Sequence, residues 1–319
     1  MSQKTIEVEH LSKVYGSTIA IEDIYFSVAA GEIIGFLGPN GAGKTTTMRI
    51  LAGYLPATSG TAKIAGYDVH RHSMQVRRHI GYLPETPPLY PNMTVKQYLR
   101  FVTKIKGVRA RDCDKKAYNA MVRCQLLDRA NTIIGKLSKG YRQRLGIAQA
   151  IVHEPPVIIL DEPTVGLDPR QIIEVRNLIK SLAGEHTIIL STHILPEASM
   201  ICDRVTIVDR GKVITTDTPS NLQVHLEGSG YEVEVSGNLE SVLPLLQNIP
   251  GITGVVLEKN LAVDNSKRHV IKITCRSMTE PGKDIAKSIV DRGLELYELR
   301  RTHPSLEDVF LKLTKEELF

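Results

Sequence analysis

Residues 38–47 read GPNGAGKTTT. Gly38, Gly43, Lys44 and Thr45 occupy the four fixed positions of the pattern GxxxxGK[ST]. Glycines admit positive φ and close approach, so successive backbone N–H groups can surround phosphate oxygens where a helix begins. Lys44 then reaches the β- and γ-phosphates, while the Thr45 hydroxyl ligates Mg2+. The bland alternative is a glycine-rich turn that carries a lysine by coincidence, and the flanks count against it. AGEIIGFLG (30–38) is a short apolar run closed by glycine, and TTTMRILAGYL (45–55) spaces its apolar residues as a helix does. The segment therefore joins a strand to a helix, and the chemistry it implies is nucleotide binding. Many unrelated NTPases share this loop.

Three further stretches narrow the choice. PPVIILDEPTVGLD (155–168) holds an apolar run suited to a buried parallel strand, followed at once by two carboxylates. Asp161 at the strand end can hold Mg2+ through water, and Glu162 is placed to polarise an attacking water. A second strand, TIILST, ends at His193, where an imidazole can contact a γ-phosphate. A lone histidine at a strand end is more often structural, but its place after the two preceding motifs favours the functional reading. LSKGYRQR (137–144) completes the set.

Together with Tyr15 in KVYGS and GLD at 166–168, these motifs resemble the ATP-binding subunit of ATP-binding cassette (ABC) transporters. The likeness covers roughly residues 4–220, with every motif in family order. It implies an α/β P-loop NTPase cassette, a mixed-sheet core plus a helical subdomain over about 93–150. It also implies ATP and Mg2+ as cofactors, and a head-to-tail dimer with two ATP molecules between the subunits. Pro39, Asn40, Gly41, Ala42 and Thr46 would share the phosphate loop with the four fixed residues. Ser138 and Gly140 would contact the γ-phosphate from across the interface, Asp168 would link the two sites, and Tyr15 would stack on adenine. Catalysis would rest on Glu162, His193 and Lys44, and the metal on Thr45, Asp161 and Glu85.

Two positions depart from the commonest family pattern. GYLPE (81–85) carries Glu85 where the family usually has glutamine, in the loop that ligates Mg2+ and faces the membrane subunit. A carboxylate is a good hard ligand for Mg2+, yet close to Asp161 and Glu162 it is costly unless the metal neutralises it. A surface glutamate separated from the metal by water is the alternative. LSKGY stands where LSGGQ is usual, so Lys139 adds a cation that reaches a phosphate or ribose across the dimer, or is merely solvated.

Residues 93–130 space their apolar side chains at three and four, which predicts helices, and the family places there the surface that grips the membrane subunit. PETPPLYPNM (84–93) is the connector into it. The composition shifts at HLEGSG (225–230), which sets the expected domains at 1–225 and 226–319. Beyond it the segments YEVEVS, LESVLPLLQNI, ITGVVLEK, HVIKITC, KDIAKSIVDRG and ELYELRR read β-α-β-β-α-β, the order of a small α+β ferredoxin-like domain. A final helix is expected at PSLEDVFLKLT. The tail SLEDVFLKLT resembles the ends of subunits serving ABC-2 type exporters, including those related to gliding-motility transporters.

The 319 residues contain no apolar run near the ~20 needed to span a bilayer, and MSQKTIEVEH lacks a secretory signal. The expected place is therefore cytosolic, peripheral on the cytoplasmic face of the inner or plasma membrane through a separate transmembrane permease. Four separated cysteines fit reduced thiols. A net charge of +5 spread along the chain argues a solvated surface rather than a nucleic-acid partner. The expected partners are the permease and a second nucleotide-binding subunit, with a homodimer favoured. A soluble cassette acting on ribosomes or DNA is disfavoured, because the phosphate loop occurs once and no sustained heptads appear. An ATP-binding membrane scaffold with weak hydrolysis remains open on account of Glu85 and Lys139.

Overall fold

The structure, a computed structural model, describes residues 4–225, 230–236, 239–263, 266–276, 279–302 and 310. The chain divides into two compact units, 1–219 and 220–319. The division falls six residues before the expected 225/226 boundary, at the start of a short helix.

The first unit contains two sheets. One is antiparallel, in the order β2 (Thr18–Ala29), β1 (Lys4–Tyr15), β4 (Ser59–Ile64), β5 (Tyr67–Asp68). The other runs β10 (Lys212–Asp217), β9 (Arg204–Asp209), β3 (Ile33–Leu37), β8 (Thr187–Thr192), β7 (Val157–Asp161), β6 (Ile80–Leu83). Every pairing from β9 to β6 is parallel, and only the edge strand β10 is antiparallel. Strands β3, β7 and β8 are buried at every residue, which is why their sequences IIGFL, VIILD and TIILST do not alternate.

One apolar core joins both sheets and the helix α1 (Lys44–Leu51). Ile6, Val8 and Phe26 of the antiparallel sheet meet Ile34, Phe36 and Ile159 of the parallel one, with the Phe26 and Phe36 rings 5.4 Å apart. Burying each such side chain is worth roughly 1.5–3 kcal/mol, so this core anchors α1 through Met48, Ile50 and Leu51. The helix expected to run to residue 55 stops at Leu51. Gly53 takes φ 69°, and the N–H groups of Gly53 and Tyr54 return to Ile50 O and Arg49 O, a glycine-closed helix end.

Between the sheet segments lie α2 (Ser73–His79) and then α3 (Val95–Ile105), α4 (Cys113–Arg123) and α5 (Lys139–Ile151). Thr94 and Gln97 form a reciprocal cap at the start of α3. Helices α6 (Pro169–Leu182) and α7 (Leu195–Ile201) complete the unit's connections, and α8 (Pro219–His225) opens the second unit. All four cysteines are free and buried.

The second unit holds β11 (Gly230–Ser236), α9 (Leu239–Gln247), β12 (Ile252–Val263), β13 (Ser266–Cys275), α10 (Gly282–Asp291) and β14 (Leu296–Thr302). Its sheet is ordered β12-β13-β11-β14 and is antiparallel throughout, the ferredoxin-like arrangement. Val233, Val235, Ile271 and Ile273 pack with Ile285 and Ile289 of α10 as a separate core. Apart from Phe310, the expected final helix lies outside the described residues.

Candidate nucleotide-binding site

The site forms where the parallel strands end, the usual place for ligands in such sheets. Leu37 of β3 is in register with Thr192 of β8, and Asp161 of β7 with Ser191. The phosphate loop, the Asp-Glu pair and His193 thus leave the sheet side by side, although the loop is more than a hundred residues from the other two in sequence.

Two glycines of the loop are required by space. A Cβ at Gly38 would collide with the carbonyl oxygen of Val208. Gly43, with φ 97°, caps α1, and a Cβ there would lie 2.5 Å from Ile21 Cγ2 and 2.7 Å from Ala20 O. Gly41, at φ 85°, has open space around it, so only its conformation calls for glycine. Ala42 is buried beneath the loop.

Lys44 is buried, and its Nζ donates to Gly38 O at 2.8 Å and Pro39 O at 3.2 Å. It also stands 3.3 Å from Glu162 Oε1. The other Glu162 oxygen, Oε2, lies 2.9 Å from His193 Nδ1. Glu162 has the left-handed φ of 50°, a conformation costing a β-carbon residue about 1–2 kcal/mol. Its N–H holds that turn by donating to Ser191 O at 3.1 Å and Ser191 Oγ at 3.0 Å.

Asp161 is buried behind Thr45. Its Oδ1 accepts from Ser191 Oγ at 2.6 Å and from Thr45 Oγ1 at 3.2 Å, while Oδ2 has no hydrogen-bond partner. Burial raises this carboxyl above its ordinary value, those two hydrogen bonds oppose the rise, and the Glu162 and Glu85 carboxylates add to it. An unpartnered buried carboxylate oxygen beside a threonine hydroxyl is a fitting donor pair for Mg2+. Among the described residues no three His, Cys, Asp or Glu side chains converge as a metal site, so the phosphates would have to supply further ligands.

These groups wall a cavity of about 390 Å3. Pro39, Asn40, Gly41 and the segment Gly43–Thr46 form one side, and Glu85, Glu162 and His193 face them. Ala20 and Val165, which no motif marked, also border it. Ser191, Thr164 and Glu197 lie behind the lining and were likewise unmarked. Thr164 Oγ1 donates to Glu197 Oε2 at 2.6 Å in a buried contact that ties the turn after Glu162 to α7. A serine or threonine inside an all-apolar strand, as in TIILST, is the signal that would have found Ser191.

Four expected residues stand apart from this cavity. Tyr15 is exposed where β1 turns into β2, with Lys13 Nζ 5.1 Å from its ring centre. Ser138 caps α5 by accepting from Tyr141 N–H at 3.4 Å, and Asp168 caps α6 by accepting from Gln171 N–H at 2.9 Å. Gly140 is buried against Gln171, whose side-chain carbon would be 2.7 Å from an added Cβ. Within one chain, then, Ser138, Gly140 and Asp168 serve as helix starts.

A phosphate loop on a parallel sheet, an Asp-Glu strand end and a following histidine define a P-loop nucleotide hydrolase of the cassette type. The family model for ABC transporters matches residues 21–165. The linearmycin resistance ATP-binding protein LnrL of Bacillus subtilis is 31% identical over 98% of this chain and 99% of its own length. The bacitracin transport ATP-binding protein BcrA of Bacillus licheniformis is 34% identical over 97% and 96%. Among solved structures, the ATP-binding subunit of an ABC transporter superposes with a TM-score of 0.63 at 32% identity, over 69% of this chain and 92% of that one. The chain belongs to the family of ABC transporter ATP-binding proteins, and it is an ATP-hydrolysing subunit.

Proposed function

We propose that the chain drives a separate transmembrane permease, an exporter, by closing on a second nucleotide-binding subunit when ATP is bound. The observation that carries the reading is the separation between the Lys44–Glu162–His193 cavity and the start of α5. Ser138 and Gly140 do not line the cavity of their own chain. In this reading they meet the γ-phosphate held by a second copy, with the positive end of α5 behind them. Asp168, beside them at the start of α6, would join the two sites, and Tyr15 is exposed where an adenine can stack on it.

The chain's own groups divide the work. Backbone N–H groups of the loop and the Lys44 ammonium hold the β- and γ-phosphates. Thr45 and Asp161, with Glu85 opposite, would hold Mg2+, which neutralises charge on the transferring phosphoryl group. Glu162 accepts a proton from the attacking water, and His193 keeps its carboxylate aimed. In this structure Lys44 is held by Gly38 O, Pro39 O and Glu162, contacts that arriving phosphates replace.

Export is supported by relatives matching nearly the whole length that are named for linearmycin resistance and bacitracin transport. The finer likeness to gliding-motility exporters rests on the tail SLEDVFLKLT, which lies outside the described residues apart from Phe310. A peripheral place at the cytoplasmic face of the membrane follows from the same reading. Among the described residues no helix is long and apolar enough to cross a bilayer.

The test is an affinity pull-down of the Glu162→Gln chain with ATP and Mg2+ from detergent-solubilised native membranes. Recovery of a stoichiometric multi-span protein is the expected result. Recovery of ribosomes or soluble partners alone would overturn the reading.

A further inference from the structure

Glu197 is a buried carboxylate that no step above uses. It stands in the first turn of α7, four residues after His193. Its Oε2 accepts the hydroxyl of Thr164, itself buried, at 2.6 Å, the length of a bond to an ionised carboxylate. Among the described residues no cation forms an ion pair with Glu197.

Burial raises the Glu197 carboxyl above its ordinary value. The Thr164 hydrogen bond and the Arg176 charge oppose the rise, the Glu162 charge adds to it, and His193 opposes it. A buried carboxylate this close to Glu162 is a costly way to fill space that an apolar side chain would fill without that cost. What the carboxylate supplies is the short bond to Thr164.

The two ends of this bond lead to the two groups that face the nucleotide cavity. Thr164 follows Glu162 by two residues, inside overlapping turns in which Val165 N–H donates to Glu162 O and Leu167 N–H to Thr164 O, both at 3.2 Å. On the other side His193 is exposed, so packing does not fix it, and no side chain caps α7. Ile194 N–H is held locally by Thr192 Oγ1, whereas Glu197 is the α7 side chain that hydrogen-bonds across to the Glu162 turn.

We propose that Thr164 and Glu197 are positioning residues for ATP hydrolysis. Their bond fixes the start of α7 on the turn that follows Glu162, and so holds the His193 ring against the Glu162 carboxylate while nucleotide is bound. The proposal rests on the roles given above to Glu162 and His193. Neither Thr164 nor Glu197 lines the nucleotide cavity, so the bond acts through His193 and leaves ATP binding alone.

The test uses Thr164→Val/Glu197→Met, which replaces both partners with apolar groups of similar size and leaves no buried polar atom unsatisfied. The full chain, this double variant, Thr164→Ser, His193→Ala and the triple variant are compared. Thermal melts establish that each is folded, calorimetry gives the ATP Kd, and hydrolysis of radiolabelled ATP gives kcat. In the double variant kcat should fall about ten- to a hundred-fold, the cost of a reacting group displaced by about 1 Å, with the ATP Kd unchanged. Thr164→Ser keeps the hydroxyl and should keep the parent's kcat. In the His193→Ala background the double substitution should lower kcat no further. Thr164→Val alone repeats the comparison should the double variant melt below the assay temperature.

An unchanged kcat in the folded double variant overturns the proposal. An equal fall in both backgrounds overturns it as well, because the bond would then act on something other than His193. So does a loss of ATP affinity that matches the loss of turnover, the mark of a plain packing tie, or a Thr164→Ser chain as slow as the double variant. Unchanged kcat in His193→Ala alone would instead sink the role given to His193, and the positioning with it.

Discussion

Glu162 Oε2 lies 2.9 Å from His193 Nδ1, while Oε1 of the same carboxylate lies 3.3 Å from Lys44 Nζ. One buried carboxylate therefore connects the phosphate loop to the histidine that follows β8. A carboxylate held between two nitrogen groups is aimed before any ligand arrives, and positioning of this kind is what phosphoryl transfer chiefly demands of a protein.

Glu162→Gln keeps the shape of this contact and removes the proton acceptor. Steady-state ATP hydrolysis is expected to fall by about 10²–10⁴-fold, the usual contribution of a general base, with ATP affinity within a few-fold of the parent. Hydrolysis measured beside calorimetric ATP binding checks it. Unchanged turnover would remove Glu162 from the catalytic role.

Ser191→Ala tests the support behind the carboxylates. The hydroxyl donates to Asp161 Oδ1 and accepts from Glu162 N–H, so its loss leaves Asp161, already lacking a partner at Oδ2, with one fewer donor. Leaving a buried polar group unsatisfied costs about 1–3 kcal/mol. Denaturant unfolding should show a loss in that range, together with a weaker Mg2+ dependence of ATP binding.

Gly43→Ala should abolish ATP binding and lower stability. The residue sits at φ 97°, and the added Cβ would press on Ile21 and Ala20 O. Strain of this kind costs on the order of 1–3 kcal/mol. Gly41→Ala meets no neighbour, so its penalty should be confined to the backbone term and be the smaller of the two in parallel thermal melts.

His153 provides a pH signature away from the site. Burial, reinforced by the nearby Lys106 ammonium, pushes its imidazole down to about 3, while Nε2 contacts Ile80 O at 3.0 Å. The folded pKa lies below the unfolded one, so as pH falls below about 6.5 the unfolded chain takes up a proton that the folded chain refuses. Stability should fall by up to about 1.4 kcal/mol per pH unit between about 6.5 and about 3 from this group. Melting at pH 7.5 and pH 5 for the parent and His153→Gln checks it, since the variant should show the smaller loss.

The family's motifs were legible because they are local. GPNGAGKTTT, LDE and the histidine after TIILST each carry their residue types at a spacing that only backbone geometry near a strand end explains. The β-α-β-β-α-β order of the second unit was equally readable, because short strands and amphipathic helices announce themselves by period. The antiparallel sheet of β1, β2, β4 and β5 was not, since its pairings reach across the chain and leave no periodic mark beyond single strands.

What the sequence by itself determined is the inventory: a phosphate loop, the Asp161–Glu162 carboxylate pair, His193 and the order in which they occur. Only the tertiary structure decided how they meet. The parallel register that sets Asp161 opposite Ser191, and the left-handed turn at Glu162 that Ser191 sustains, arise from strand pairing between segments thirty residues apart. The same packing sets Glu85 on the wall of the nucleotide cavity and brings Thr164 against Glu197 of α7. Strand register and cavity shape are sums over many long-range contacts, and no single stretch of residues encodes them.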